Sequence, residues 1–325
     1  MTFTEYLNNN SIAKAMQGRD LIYMDDFSRE EIFTTLDLSM KMKTGEISRD
    51  EQTNILKGQT LTEIFEKPSL RTRVSFETGI FQLGGMGLYL SPNEIGLGVR
   101  ESIHDIASVL SRMTDIIMAR TFSNSTVLGL AKSSNRPVIN ALCDMEHPCQ
   151  VLADIQTVFE HKGKDSKLKF TYVGDGNNVC NSLMVICSKL GIDFACGCPE
   201  GYLPVDKYVK LAEKYASENN SYVAIETDPT KAVANADVVY TDVWASMGQE
   251  AETKQREKDF KDFQVNSKLM SYAKSDAVFM HCLPAHRGSE VTNEVVDSPN
   301  SIVFDEAENR LHAQKAVMAL LANRY

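Results

Sequence analysis

Short runs of aliphatic and β-branched residues alternate along the chain with longer stretches in which apolar residues recur every three or four positions. The runs at 61–65, 87–90, 115–119 and 137–141 read as strands in the first half. Those at 169–173, 193–198, 222–226, 238–241 and 278–282 do so in the second half, and 301–304 predicts a final strand. Helical periodicity lies between them, at 73–83, 102–112 and 125–132, then at 179–190, 204–218 and 266–273. Strand and helix taking turns at this spacing predict parallel βαβ units. The strands are too many for one sheet of ordinary width. The fold expected is therefore α/β, two doubly wound parallel-sheet domains joined by helices. The joint is expected at the helix from 149 to about 162 that follows His147-Pro148, giving domains 1–147 and 148–308. A last helix should run from Glu306 to about Asn323. The polar, charged stretch 246–263 reads as a mobile loop or a solvated helix.

Composition narrows the classes. The 325 residues suffice for two cores. With 34 basic against 44 acidic residues the net charge is −10, which argues against nucleic acid or an anionic membrane as partner. No apolar run is long enough to span a bilayer, and the first residues, Met1-Thr2-Phe3-Thr4-Glu5-Tyr6, lack the basic-then-apolar pattern of a secretory signal. The seven cysteines are scattered and odd in number, as expected of reduced thiols in a cytoplasm.

Candidate chemistry begins at Phe65-Glu66-Lys67-Pro68-Ser69-Leu70-Arg71-Thr72-Arg73, where an apolar run stops and a helical period starts. Pro68 disfavours helix for the residue before it, and Ser69 is a good N-cap. A helix N-terminus already attracts anions through its free N–H groups and dipole. Ser69, Thr72, Arg71 and Arg73 add hydroxyls and forked guanidinium donors suited to phosphate oxygens. No Walker sequence is present. In parallel sheets ligands gather beyond the carboxyl ends of strands. Arg120 follows one such run. His147 and Gln150, around a Pro-initiated turn, follow the next and can point the same way. Gly174-Asp175-Gly176-Asn177-Asn178 invites a dinucleotide reading, hence an NAD-dependent α/β dehydrogenase. However, Val179 stands where a third Gly or Ala belongs, and the next strand ends without an acidic ribose ligand. Asp242 either solvates a turn or holds an ammonium group. Cys282 is an inert thiol, a metal ligand or a nucleophile. On a strand, sequential His281 and Cys282 point to opposite faces, which argues against a Cys–His pair, and no partner set supports a metal.

Six segments, in order, resemble the aspartate/ornithine carbamoyltransferase family. They are Ser69-Leu70-Arg71-Thr72-Arg73, Met118-Ala119-Arg120, His147-Pro148-Cys149-Gln150, the Gly174–Asn178 turn, Asp242 with Ser246-Met247-Gly248, and His281-Cys282-Leu283-Pro284 with Glu308-Asn309-Arg310. The last two are similar to the ornithine branch in particular. The resemblance implies carbamoyl transfer from carbamoyl phosphate to L-ornithine, giving L-citrulline, in arginine metabolism. It implies that Ser69, Leu70, Arg71, Thr72 and Arg73 bind the phosphate. Arg120, His147, Gln150 and Arg310 would hold the carbamoyl group, while Cys282 and the Leu283 carbonyl orient the amine. Asn178, Asp242, Ser246 and Met247 would bind the rest of ornithine. No metal or organic cofactor is implied. The family builds trimers, so a homotrimer or a multiple of trimers is expected, with residues 309–325 packing back on the first domain. Rival transferases would use putrescine or an N-acylornithine. A sensor that binds without catalysing is a further alternative. Many relatives carry Gln where this chain has Gly96, and that Gln reaches a neighbouring subunit's phosphate site. Arg100, or the backbone N–H groups of 96–98, is expected to replace it.

Overall fold

The computed structural model describes residues 1–91, 95–164, 166–246 and 248–322. The chain forms two compact units, Met1–Gln156 with Glu308–Tyr325, and Thr157–Ala307. The division falls inside the helix Pro148–Lys162.

The first unit holds β1 (Thr60–Phe65), β2 (Met86–Leu90), β3 (Ile116–Arg120) and β4 (Val138–Leu142), all parallel, in the order β2-β1-β3-β4. The second holds β5 (Lys169–Val173), β6 (Asp193–Gly197), β7 (Val223–Glu226), β8 (Val238–Thr241) and β9 (Val278–His281), also parallel, in the order β7-β6-β5-β8-β9. In each sheet the order in which successive strands are added reverses once, between β1 and β3 and between β5 and β8. At such a switch point the loops leaving two neighbouring strands run to opposite faces and open a crevice at their carboxyl ends. Ser69 and Arg120 follow one such pair, and Asn178 and Asp242 the other. The central strands read as continuous apolar runs because helices cover both faces. Ile117, Ala119, Val127, Leu130 and Val138 pack in the first unit, and Val239, Phe260, Phe263 and Phe279 in the second.

Three expectations need correction. Residues 301–304 are no strand: Ser301 makes an isolated bridge to Phe279, and the helix Val303–Leu321 begins there. Asp305 and Glu306 in its first turn suit the helix dipole, and the Glu306 N–H already bonds to the Ile302 carbonyl. Of 266–273 only Ser267–Met270 is helical. The charged stretch 246–263 is neither loop nor solvated throughout. It contains the helix Thr253–Asp259 flanked by 3-10 turns, and Arg256, Phe260 and Phe263 are buried. Three N-terminal helices, Phe3–Asn9, Ser11–Ala15 and Arg29–Thr44, were not among the expected elements.

One buried group opposes the fold. Glu63 of β1 is fully buried, and neither carboxyl oxygen has a hydrogen-bond partner among the described residues. It fits because β2 offers Gly87, whose added Cβ would lie 2.8 Å from Oε1. Burial, helped by Glu77 and opposed by Arg73, pushes its pKa from 4.5 up to about 8. Between those values the unfolded chain releases a proton that the folded chain keeps, so stability falls as pH rises from 4.5 towards 8. Glu63→Met should therefore raise stability by about 1–3 kcal/mol near pH 8, with a smaller gain near pH 4. Urea denaturation across that range checks this. A gain independent of pH would mean that the carboxyl is not being held neutral.

Candidate functional site

In the first unit the site grows from the turn after β1. Ser69 caps the helix Leu70–Gln82 from an extended backbone, its hydroxyl accepting the Thr72 N–H at 3.3 Å and donating to Thr72 Oγ1 at 3.1 Å. The first turn carries no acid, so the dipole's positive end faces the arginines uncompensated. Arg120 ends β3 opposite Phe65 of β1, and its Nη1 lies 3.4 Å from Thr72 Oγ1. Arg310 comes from the last helix. Its Nη2 lies 3.5 Å from the same oxygen, its Nη1 donates to Gln150 Oε1 at 2.6 Å, and its Nε donates to Gln314 Oε1 at 2.7 Å. The two contacts to Thr72 are at the limit of a hydrogen bond, so a charged oxygen there would take these donors over.

His147 is buried beside them. Burial first, then the charges of Arg310, Arg120 and Arg71, hold its pKa well below 6.5, so the imidazole is neutral at physiological pH. Lys67 stands near with its Nζ 4.6 Å from the Phe122 ring centroid, and burial and Arg120 depress its pKa. A set of cationic forks around a neutral imidazole and a primary amide suits a dianion that carries a planar amide-like end.

The structure gathers Ser69, Arg71, Thr72, Arg120, His147, Gln150 and Arg310. The Leu70 side chain is exposed, leaving its backbone to the site. Arg73 points elsewhere: Nε pairs with Glu77 at 2.9 Å and the guanidinium lies 3.9 Å over the Tyr89 ring. Two supporting residues were not singled out from the sequence. Asp154 accepts from Gln150 Nε2 at 2.8 Å, and Gln314 donates to Ser75 Oγ at 2.8 Å. Their signal was a polar residue one helical turn beyond each site residue, at i+4. Gly96 has φ +54, and a Cβ there would come 2.8 Å from that of Arg100. A side chain at 96 is thus strained in this backbone, and Arg100 is exposed.

In the second unit the centre is Asp242, just past β8. Its Oδ2 accepts from Asn177 Nδ2 at 2.8 Å, and its Oδ1 accepts from Cys282 Sγ at 3.0 Å and from the Val243 N–H at 2.8 Å. Asn177 also caps the helix Asn178–Leu190 through Val179 and Cys180 N–H, so this N-cap adjoins Asp242, beside the Asn178 expected to bind ornithine. Ser246 donates its N–H to Gln249 Oε1 at 2.9 Å. Met247 lies outside the described residues.

Cys282 is half-buried beyond the end of β9, so strand alternation no longer separates it from His281. One ligand atom each of Asp242, His281 and Cys282 lie within 4.8 Å of one another, which corrects the expectation that they diverge and that no metal-ligand set exists. Both ring nitrogens of His281 are nevertheless engaged. Nδ1 accepts the Leu283 N–H at 2.8 Å, which leaves Nε2 to donate to Glu290 at 3.1 Å. That bond holds Leu283 in the left-handed region at φ +56. The dinucleotide reading fails on space: a Cβ on Gly176 would come 2.3 Å from Pro204 N and 2.5 Å from Leu203 C, so protein backbone already occupies that approach.

Comparison with known proteins agrees with both halves. The aspartate/ornithine carbamoyltransferase carbamoyl-phosphate-binding domain matches residues 19–160, and the Asp/Orn-binding domain matches 166–321. An ornithine carbamoyltransferase of Thermococcus kodakarensis is 55% identical over 308 residues, 94% of this chain and 97% of that one. The solved ornithine carbamoyltransferase of Pyrococcus furiosus superposes with a TM-score of 0.91 at 52% identity, covering 94% of this chain and 98% of that one. The anabolic enzyme of Campylobacter jejuni gives a TM-score of 0.88 at 37% identity, covering 92% and 97%.

The two arginines of the turn should behave differently. A charge-assisted bond is worth about 1.5–3 kcal/mol, so Arg71→Ala should weaken inorganic phosphate binding by about ten- to a hundred-fold. Arg73→Ala, which removes a guanidinium already held by Glu77 and Tyr89, should weaken it by less than about threefold. Calorimetric titration distinguishes them, and equal losses would place Arg73 on the anion.

Proposed function

The chain belongs to the aspartate/ornithine carbamoyltransferase family, and from that premise we propose that it transfers the carbamoyl group of carbamoyl phosphate to the δ-amine of L-ornithine, giving L-citrulline and phosphate. The observation that carries ornithine as acceptor is the Asp242 carboxylate, oriented by Asn177 and bonded to the Cys282 thiol. An acid fits an ammonium group, whereas a second substrate carboxylate would call for a base.

In this reading Ser69, Arg71 and Thr72, with the Leu70 N–H, hold the phosphate, and Arg73 adds long-range charge. Arg120, His147, Gln150 and Arg310 hold the carbamoyl oxygen and nitrogen. As the amine adds to the carbonyl carbon, negative charge grows on that oxygen and then on the leaving phosphate. Donors already in place stabilise it without reorganising. His147, being neutral, donates a hydrogen bond without first taking up a proton. Asp242 binds the α-ammonium group, while Asn178 and the backbone of Ser246 and Met247 bind the α-carboxylate. The Cys282 thiol and Leu283 carbonyl orient the δ-amine in its neutral, nucleophilic form. The scheme uses no metal, organic cofactor or covalent enzyme intermediate.

We read the assembly as a homotrimer or a multiple of trimers. Leu70, Val74 and Phe81 form an exposed apolar stripe on one helix, and Met86 and Leu88 of β2 are exposed too, a surface that a second copy would cover. No helix among the described residues is long and apolar enough to cross a membrane; we place the enzyme in the cytoplasm as part of this reading.

A colorimetric citrulline assay tests the reaction. L-Ornithine should be carbamoylated, whereas putrescine, which lacks the α-carboxylate, and N-acetylornithine, which lacks the α-ammonium, should react at least about a hundred-fold less efficiently, since each loses one or two charged contacts. Preference for either analogue would refute the acceptor assignment. Cys282→Ser should keep substantial activity, because a hydroxyl can still orient an amine. Near-total loss together with a carbamoyl-thioester trapped on the wild-type thiol would make Cys282 a nucleophile instead.

A further inference from the structure

Arg256 lies at the centre of a buried charge contact in the second unit, yet nothing in the reaction above uses it. Its side chain is 7% exposed. Its Nη1 donates to Asp175 Oδ2 at 2.7 Å and to the Trp244 carbonyl at 2.8 Å, and its Nε donates to Glu252 at 2.9 Å. The guanidinium also lies 4.9 Å from the Tyr202 ring centroid, and the Tyr202 hydroxyl is bonded to Asp259, three residues on from Arg256. Asp175 sits two residues before Asn177 in the turn after β5. Trp244 sits two residues before Ser246 in the segment after β8. One guanidinium therefore ties together the two stretches that flank Asp242. A planar fork is suited to this, because its donors leave in fixed directions and meet a carboxylate and a carbonyl at once.

We propose that Arg256 is a positioning residue for the amino-acid substrate: it fixes residues 244–246 against the 174–178 turn, so that the groups binding the α-ammonium and α-carboxylate of ornithine are held as one rigid set. This rests on the ornithine reading, although the anchoring itself does not. Asp175 supports it. Burial raises that carboxyl's pKa, and the charge and hydrogen bond of Arg256 oppose the rise. Lysine could reach Asp175 and the Trp244 carbonyl with its one nitrogen, but it has no second donor for Glu252 and no planar group to fix their directions.

The test has two arms. In the kinetic arm, Arg256→Gln should raise KM for ornithine at least tenfold, change KM for carbamoyl phosphate less than twofold, and leave kcat within about threefold. Arg256→Lys should recover part of the loss. Asp175→Asn combined with Arg256→Gln should be no worse than Arg256→Gln alone, because both substitutions break the same contact. In the second arm no substrate is present. Trp244 is the one tryptophan of the chain, so acrylamide quenching of its fluorescence reports this segment directly, and quenching should rise severalfold in Arg256→Gln. Unchanged quenching with unchanged KM for ornithine overturns the proposal. So does a parallel rise in both KM values with a lowered Tm, which would mark a purely structural arginine. If the wild-type protein made no citrulline, the substrate reading would fall, and the quenching arm alone would decide the anchor.

Discussion

The candidate site in the first unit depends on crowding like charges where water is scarce. Arg71, Arg120 and Arg310 surround a buried histidine, and two unit charges near 4 Å repel by about 4 kcal/mol at an effective dielectric of 20. The fold opposes this with neutral oxygens aimed at the guanidinium groups: Thr72 Oγ1, Gln150 Oε1 and Gln314 Oε1. Asp154 accepts from Gln150 Nε2, and amide and hydroxyl dipoles are among the groups that hold the arginines in place. Burial first, and then the field of the same arginines, keeps His147 neutral.

The parts of this arrangement that sit at the ends of strands were legible in the sequence, because a parallel sheet turns chain position into spatial position. Arg120 lies past one apolar run and the Ser69 turn past another, and pairing of β1 with β3 brings them together. Residues that act from helix faces were not legible in the same way. Asp154 and Gln314 each lie on a helix whose buried face is mostly apolar. Their i+4 spacing from Gln150 and Arg310 is a local signal, but by itself it does not distinguish a polar residue that supports an arginine from one that faces solvent. Arg73 shows the converse. The Arg-x-Arg spacing suggested two equivalent forks, but residues two apart on a helix diverge by about 200°, so one guanidinium points to Glu77 and Tyr89 instead.

Charge misled the reading in one segment, and its aromatic residues would have corrected it. The 246–263 stretch looks solvated by its charge, but Phe260 and Phe263 are one helical turn apart and both enter the core. Two such anchors outweigh many exposed charges, since burying each ring is worth about 1.5–3 kcal/mol and an exposed charge changes little. The final apolar run failed for a related reason. Ser301-Ile302-Val303-Phe304 has strand composition, but the acids that follow favour a helix start, and Phe304 is left exposed.

The two units meet opposite electrostatic demands. Carbamoyl phosphate keeps its charge throughout binding, so permanent cations suffice, and arginine cannot lose its proton. Ornithine must keep one amine protonated and present the other neutral. A carboxylate that favoured cations everywhere would defeat that. On the proposed reading Asp242 would meet the demand by being partly engaged already: Asn177 bonds one oxygen, and the Cys282 thiol and the Val243 N–H bond the other. The ammonium group would then meet a carboxylate whose charge is partly spread over neutral donors. The thiol, a weak donor and weak acceptor, would stand where a stronger base or acid would fix the second amine in the wrong protonation state. That both segments bearing these groups start at the carboxyl ends of adjacent strands, β5 and β8, is what lets one carboxylate reach an N-cap asparagine on one side and the end of β9 on the other.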